Sequence, residues 1–211
     1  MKHKTMISLW IGVIIIISSS FLTYSQLKEA DELLQAAKLL MFDKKWDEAQ
    51  KKLERIIELY PHSLTTPQAV FYRAKCLENK NGGEEEALQA YKNYIGSERK
   101  SSAWAQEAEL SIIKLAFILH EKGRSSYLNE IEKRLFRTDK VVKYFAAIKM
   151  SAVKDKKQAL KALPVLEEIL KKEKDIELKD RAKIAMLRID PEYFRSFEEE
   201  RYERRARILK I

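Results

Sequence analysis

From Gln26 onward, apolar residues return every three or four positions, and little interrupts them. Leu33, Leu34, Ala36, Ala37, Leu40 and Met41 form one such run. Trp46, Ala49, Leu53, Ile56, Ile57 and Tyr60 form the next, with Asp43-Lys44-Lys45 between them. This spacing puts one apolar stripe on each of two helices. Pro61 cannot continue the second helix, so the chain turns there. Each run is too short to be a stable helix alone and has one face to hide, so a tight link makes the two a hairpin. Turn residues are scarce throughout. The 211 residues hold five glycines and four prolines, against a usual share of about 7% and 5%. A sandwich or barrel needs far more turn signals than that. Gly12, Gly82, Gly83, Gly96 and Gly123 make no phosphate-cradling loop, which argues against Rossmann and P-loop chemistry. Cys76 is the single cysteine and has no partner within the chain for a disulfide. With 45% hydrophobic residues, the chain has enough apolar content for a core.

The first 25 residues read differently. Lys2, His3 and Lys4 precede an apolar stretch from Met6 to Ile17, centred on Val13-Ile14-Ile15-Ile16-Ile17. Ser18, Ser19 and Ser20 follow, and Thr23-Tyr24-Ser25 puts small residues at the first and third positions before Gln26. This is the three-part layout of a secretory signal peptide, cleaved before Gln26. The rival reading is an uncleaved anchor. Counted on through Phe21, Leu22 and Tyr24, the stretch approaches the roughly 20 residues of a membrane span, with Lys2 and Lys4 on the cytoplasmic side. No cysteine follows it to take a lipid.

Charge is unevenly spread. The chain carries +9, and loss of Lys2 and Lys4 leaves 39 basic residues against 32 acidic ones. Residues 26–100 hold 13 of each sign, so the excess lies in 101–211, with 26 basic and 19 acidic residues. In an exported protein, lipid head groups, acidic envelope polymers or acidic proteins are the natural counterparts rather than nucleic acid. The basic residues alternate with glutamates, the pattern of solvated helix faces.

The residues from Ala30 to Ser63 resemble a tetratricopeptide repeat, a helix pair of about 34 residues. Ala37 and Ala49 stand where the family has small residues in its first and second helices, and Leu40, Trp46, Leu53 and Pro61 fit their places. Ile56 stands where alanine is usual, which suggests looser packing there. A second copy runs from Thr66 to Ile95: Ala74, Leu77, Ala87, Tyr91 and Tyr94 repeat the pattern, and Asn81-Gly82-Gly83 marks its turn. The link Tyr60-Pro61-His62-Ser63 looks like that of tetratricopeptide proteins of the bacterial envelope. A weaker third copy spans Ser102 to Arg137. There Ala116, Leu119 and Gly123 fit, but Leu128 replaces an alanine.

Beyond Arg137 the pattern changes. Val141, Val142, Phe145, Ile148 and Ala152 predict one amphipathic helix. From Lys156 to Ile189 the chain resembles a HEAT repeat. Leu163-Pro164-Val165-Leu166 matches the family's proline-bent first helix. Leu178, Lys179, Ala182, Ala185 and Met186 match its second, with Asp175 displaced from the usual aspartate position. The tail, from Asp190-Pro191, carries Phe194, Phe197, Tyr202 and the pairs Glu200–Arg204 and Glu203–Arg207. It reads as a polar capping helix, or as a docking helix with its aromatic residues toward a partner.

No constellation supports catalysis, and no residue is assigned as catalytic, cofactor-binding or metal-binding. His62 follows a repeat link, and His120 ends a helix, where a cation suits the dipole. His120-Glu121 lacks the second histidine of a zinc-protease motif. Cys76, beside Leu77 on a repeat helix, reads as a small buried hydrophobe. Glu84-Glu85-Glu86 opens a helix, where acids are favoured. Trp46 and Trp104 read as packing residues.

The sequence therefore predicts an all-α chain, an alpha-alpha superhelix: a solenoid of antiparallel helix pairs, tetratricopeptide-like and then HEAT-like. Its parts are a signal peptide or membrane anchor (1–25), tetratricopeptide-like repeats (26–137), a HEAT-like repeat (138–190) and a charged C-terminal capping helix (191–211). The expected function is that of an exported scaffold or adaptor, with no activity or cofactor of its own. It would bind other proteins of the cell envelope, in the periplasm or outside the cell, and touch the membrane only through a retained N-terminal segment. The alternatives are an inner-membrane, single-pass structural subunit of an envelope assembly, and a factor binding an acidic envelope polymer.

Overall fold

The structure is a computed structural model that describes residues 28–97 and 100–209. The segment 1–25, with its signal-peptide and anchor readings, lies outside the described residues. The fold class is all-α, as the periodicity predicts. Among the described residues there are helices and short 3₁₀ turns and no strand, and consecutive helices pack in pairs as in a helical-repeat solenoid. The chain forms two compact units, one reaching Trp104 and one starting at Ala105.

The first unit holds α1 (residues 28–42), α2 (Trp46–Leu59), α3 (Thr66–Glu78) and α4 (Glu84–Gly96). Ala30, Leu34 and Ala37 of α1 share one core with Ala49, Leu53 and Ile56 of α2 and with Ala69 and Cys76 of α3. Ile56 is wholly enclosed, so the contact expected to be loose is filled. The reason lies around it: Ala30, Ala37, Ala49 and Ala69 are small and leave room for the larger side chain.

The links follow local chemistry. At the end of α1, the Lys45 N–H donates to Leu40 O at 2.8 Å and the Lys44 N–H to Met41 O at 3.0 Å. These are the paired bonds of a Schellman cap, whose left-handed residue is usually glycine. Here it is Lys44, at φ +59°. A side chain in that conformation is strained by about 1 kcal/mol. Lys44→Gly should therefore raise stability by about 0.5 kcal/mol, after the entropy that glycine adds to the unfolded chain is deducted. Thermal unfolding followed by circular dichroism checks this, and a lower melting temperature would refute it. After α2, the Tyr60 N–H donates to Ile56 O, and the Thr65 hydroxyl donates to the Asp31 carboxylate of α1, tying the link back to the hairpin. Pro67 lies in the first turn of α3, where its missing N–H is harmless. Between α3 and α4, Gly82 adopts φ +78°, and a Cβ on Gly83 would lie 2.3 Å from Leu77 O, so both glycines are required by geometry.

The second unit takes most of α5 (Ser102–Glu121), then α6 (Leu128–Glu132), α7 (Lys140–Met150), α8 (Lys156–Ala159), α9 (Leu163–Lys172), α10 (Ile176–Ile189) and α11 (Pro191–Leu209). Gly123, at φ +89°, closes α5 with a second Schellman cap: Arg124 N–H to Leu119 O and Gly123 N–H to His120 O. The partner of α5 is no regular helix. It is a single α turn, α6, between two 3₁₀ turns, Ser125–Tyr127 and Lys133–Phe136.

Helix α7 differs from its expected stripe. Val141 is half exposed, the helix ends before Ala152, and the buried residues are Val142, Tyr144, Ala146, Ala147 and Met150. They lie on more than one face because α7 packs against α6 and its following 3₁₀ turn on one hand and α9 on the other. Asp139, Asp155 and Asp175 cap α7, α8 and α10, each accepting from backbone N–H groups of the first turn. Pro164 causes no break within a helix. A 3₁₀ turn, Leu160–Ala162, precedes it, and it falls in the first turn of α9.

Candidate interaction surfaces

In the first unit, side chains from α1, α3, α4 and the start of α5 build an aromatic patch. Phe71 is buried at its centre. Trp104 stacks on it with centroids 5.7 Å apart and planes 11° apart, while Tyr72, Tyr91 and Tyr94 meet it edge-on or tilted at 5.4–5.9 Å. These are the offset and edge geometries that aromatic quadrupoles favour. The Tyr94 hydroxyl accepts from the Ser101 N–H at 2.9 Å, which anchors the chain entering α5. Tyr72 and Trp104 remain half-buried. Two ammonium groups border the rings: Lys38 lies 5.3 Å from the Tyr72 centroid and Lys75 lies 5.7 Å from that of Phe71. Rigid, partly exposed aromatic residues beside cations are what protein interfaces draw on for their strongest contacts.

In the second unit, α11 lies on α10 through Phe197, which is buried, and the Lys171 ammonium of α9 sits 5.0 Å above its ring. The Tyr193 hydroxyl donates to Glu167, and this hydrogen bond, with burial, pushes the phenol up to about 12. The opposite side of α11 is open. Leu187, Pro191, Phe194 and Tyr202 line a groove of about 670 Å³ with Glu199 and Glu203, and Tyr202 is 77% exposed. The aromatic residues of the tail thus divide: Phe197 faces the core and Tyr202 faces solvent.

Many bases of this unit pair with neighbouring acids. Lys140 reaches Glu173 and Lys143 reaches Glu168, each at 2.8 Å, tying α7 to α9. Hydrogen bonds from these lysines hold both carboxyls below the usual range. One cluster is buried. Arg134 is 4% and Glu109 9% exposed, with Nε and Oε2 2.6 Å apart in an ion pair that lacks the linear geometry of a hydrogen bond. Arg134 also reaches Glu130 at 3.0 Å, and Arg137 reaches Glu109 at 2.8 Å. These contacts clamp the short α6 region to α5.

The residues singled out as possible chemistry lie apart. Cys76 is fully enclosed, and burial pushes its thiol up to about 11, so it is a poor nucleophile at neutral pH. His62 is exposed in the link after α2, and His120 is in the last turn of α5. Glu84, Glu85 and Glu86 form the first turn of α4. Trp46 is half-buried against the core of the first hairpin. Among the described residues no group of three or more His, Cys, Asp or Glu side chains is placed to hold a metal ion. Among them, no helix is long and apolar enough to cross a membrane. Sequence reasoning missed the aromatic patch, because its rings come from Phe71, Tyr72, Tyr91, Tyr94 and Trp104, on three helices too far apart in sequence to share a motif.

Comparison with known families places the first hairpin. The model of the tetratricopeptide repeat family matches residues 33–63, which cover most of α1, all of α2 and the start of the link. Over that segment the chain is similar to a tetratricopeptide repeat, and such repeats generally mediate protein–protein interactions. No curated protein matches the chain.

Proposed function

We propose that this chain is an exported helical-repeat scaffold of the bacterial cell envelope, without catalytic activity of its own, whose helix faces hold protein partners. The observation that carries the reading is the tetratricopeptide hairpin at residues 33–63, followed by a second helix pair that builds, with Trp104, the half-buried aromatic patch. Export is supported by the layout of residues 1–25, and an envelope role by the likeness of the Tyr60-Pro61-His62-Ser63 link to envelope tetratricopeptide proteins. The 3₁₀ turn before Pro164, with the α9–α10 pair that follows, supports a HEAT-like C-terminal repeat. A second reading, a single-pass subunit of an envelope assembly, is favoured by the length the apolar segment reaches when counted to Tyr24.

A photo-activatable residue at position 72 tests the scaffold. In intact cells it should cross-link to an envelope protein in fixed proportion, and purified Tyr72→Ala should bind that partner about tenfold more weakly, the scale of an interface aromatic. An unchanged affinity in a folded variant, or no cross-link above that of an exposed position such as Arg181, would sink it. Mass spectrometry of the N-terminal peptide distinguishes a chain beginning at Gln26 from one retaining Met1.

A further inference from the structure

Between α9, α10 and the Phe197 side of α11 lies a cavity of about 340 Å³. Leu170 and the Phe197 ring give it an apolar wall, and both acids and bases line it. Some of those charges are already met. Lys171 lies 2.6 Å from Glu167, which also accepts from Tyr193, and Arg201 lies 2.9 Å from Glu198. Lys179 of α10 and Arg204 of α11 line the same cavity, and neither has an acidic partner among the described residues. Arg204 is exposed, but Lys179 is half-buried. A half-buried ammonium without a counter-charge has given up hydration that nothing returns. Glu200 also lines the cavity without a basic partner among the described residues, so the three unmatched groups leave a balance of one positive charge.

We propose that this cavity binds a small aliphatic carboxylate, with its chain against Leu170 and Phe197 and its head held by Lys179 and Arg204. A planar carboxylate accepts two parallel bonds from a guanidinium and has lone pairs left for an ammonium. Its single negative charge matches the balance of the cavity. A phosphate monoester would bring a second negative charge, which Glu200 would repel. The volume falls at the small end of ligand sites, about 300–1,000 Å³, and so suits a chain of about eight carbons rather than a lipid with two acyl chains. The site lies on the side of α11 away from Tyr202, and the inference does not depend on export or on the aromatic patch of the first unit.

Isothermal titration of the full chain with octanoate tests it. Octanoate should bind at one site per chain, at least about tenfold more tightly than acetate, which has the charge alone, or octan-1-ol, which has the chain alone. Lys179→Gln and Arg204→Gln should each weaken octanoate about tenfold, the scale of a charge-assisted hydrogen bond, while Lys179→Arg keeps the affinity. Arg181→Gln, a base of the same helix that pairs with Glu177 outside the cavity, should leave it unchanged. Circular dichroism checks that each variant is folded, and Arg204 is exposed, so its loss removes nothing from the core. Acetate binding as tightly as octanoate would mark an adventitious ion only and overturn the proposal. So would octan-1-ol binding as tightly, an affinity unchanged in both Lys179→Gln and Arg204→Gln, or no binding at about 10 mM octanoate.

Discussion

Ile56→Ala should lower the stability of the first unit by about 3 kcal/mol, although alanine is the residue usual at that place in the family it resembles. The side chain has no exposed surface and lies in a core that already contains Ala30, Ala37, Ala49 and Ala69. A further alanine leaves a cavity that these small neighbours cannot fill by changing rotamer. Helices α1, α2 and α3 would have to move together to close it. Ile56→Val, which removes one methylene, should lose about 1 kcal/mol. Denaturant unfolding followed by the helical signal measures both. A loss below about 1 kcal/mol for Ile56→Ala would mean that the three helices close onto the smaller residue with little strain.

Arg134→Met should have a similar effect on the second unit, a loss of about 3 kcal/mol. The substitution keeps much of the apolar stem but removes the charge that faces Glu109 and Glu130. Glu109 is left almost buried with only Arg137, whose own side chain is half exposed. A carboxylate in that position cannot recover its lost hydration. Adding Glu109→Gln to Arg134→Met should recover a substantial part of the loss, because the amide carries no charge to strand. A single-variant loss within about 0.5 kcal/mol of zero would show that water reaches the cluster and that the clamp on α6 is dispensable.

Much of the fold is legible in the sequence because local chemistry forces it. Pro61 ends one helix, Gly82 at positive φ and Gly83 against Leu77 O form a turn, and Gly123 ends another helix in a left-handed conformation. The stripes on α1 and α2 are legible because each helix buries a single face. The stripe of α7 is misleading for the converse reason. Its neighbours enclose more than one side, so Tyr144 and Ala146 are buried while Val141 is not. The third expected helix pair loses its second helix to two 3₁₀ turns, and the charged residues that hold this segment in place, Glu109 and Arg134, carry no hydrophobic signal at all.

The candidate surfaces divide along the same line. Periodicity and turn chemistry act between residues a few positions apart, and they predict helices and their pairing; the resemblance of Ala30 to Ser63 to a tetratricopeptide repeat agrees with the family match at residues 33–63. An interaction surface depends on which side chains from distant segments end up beside one another. The stacking of Trp104 on Phe71, the enclosure of Ile56 and the exposure of Tyr202 opposite a buried Phe197 arise from the packing of helices against each other. No local propensity distinguishes the aromatic residue that meets a neighbouring helix from the one left facing water.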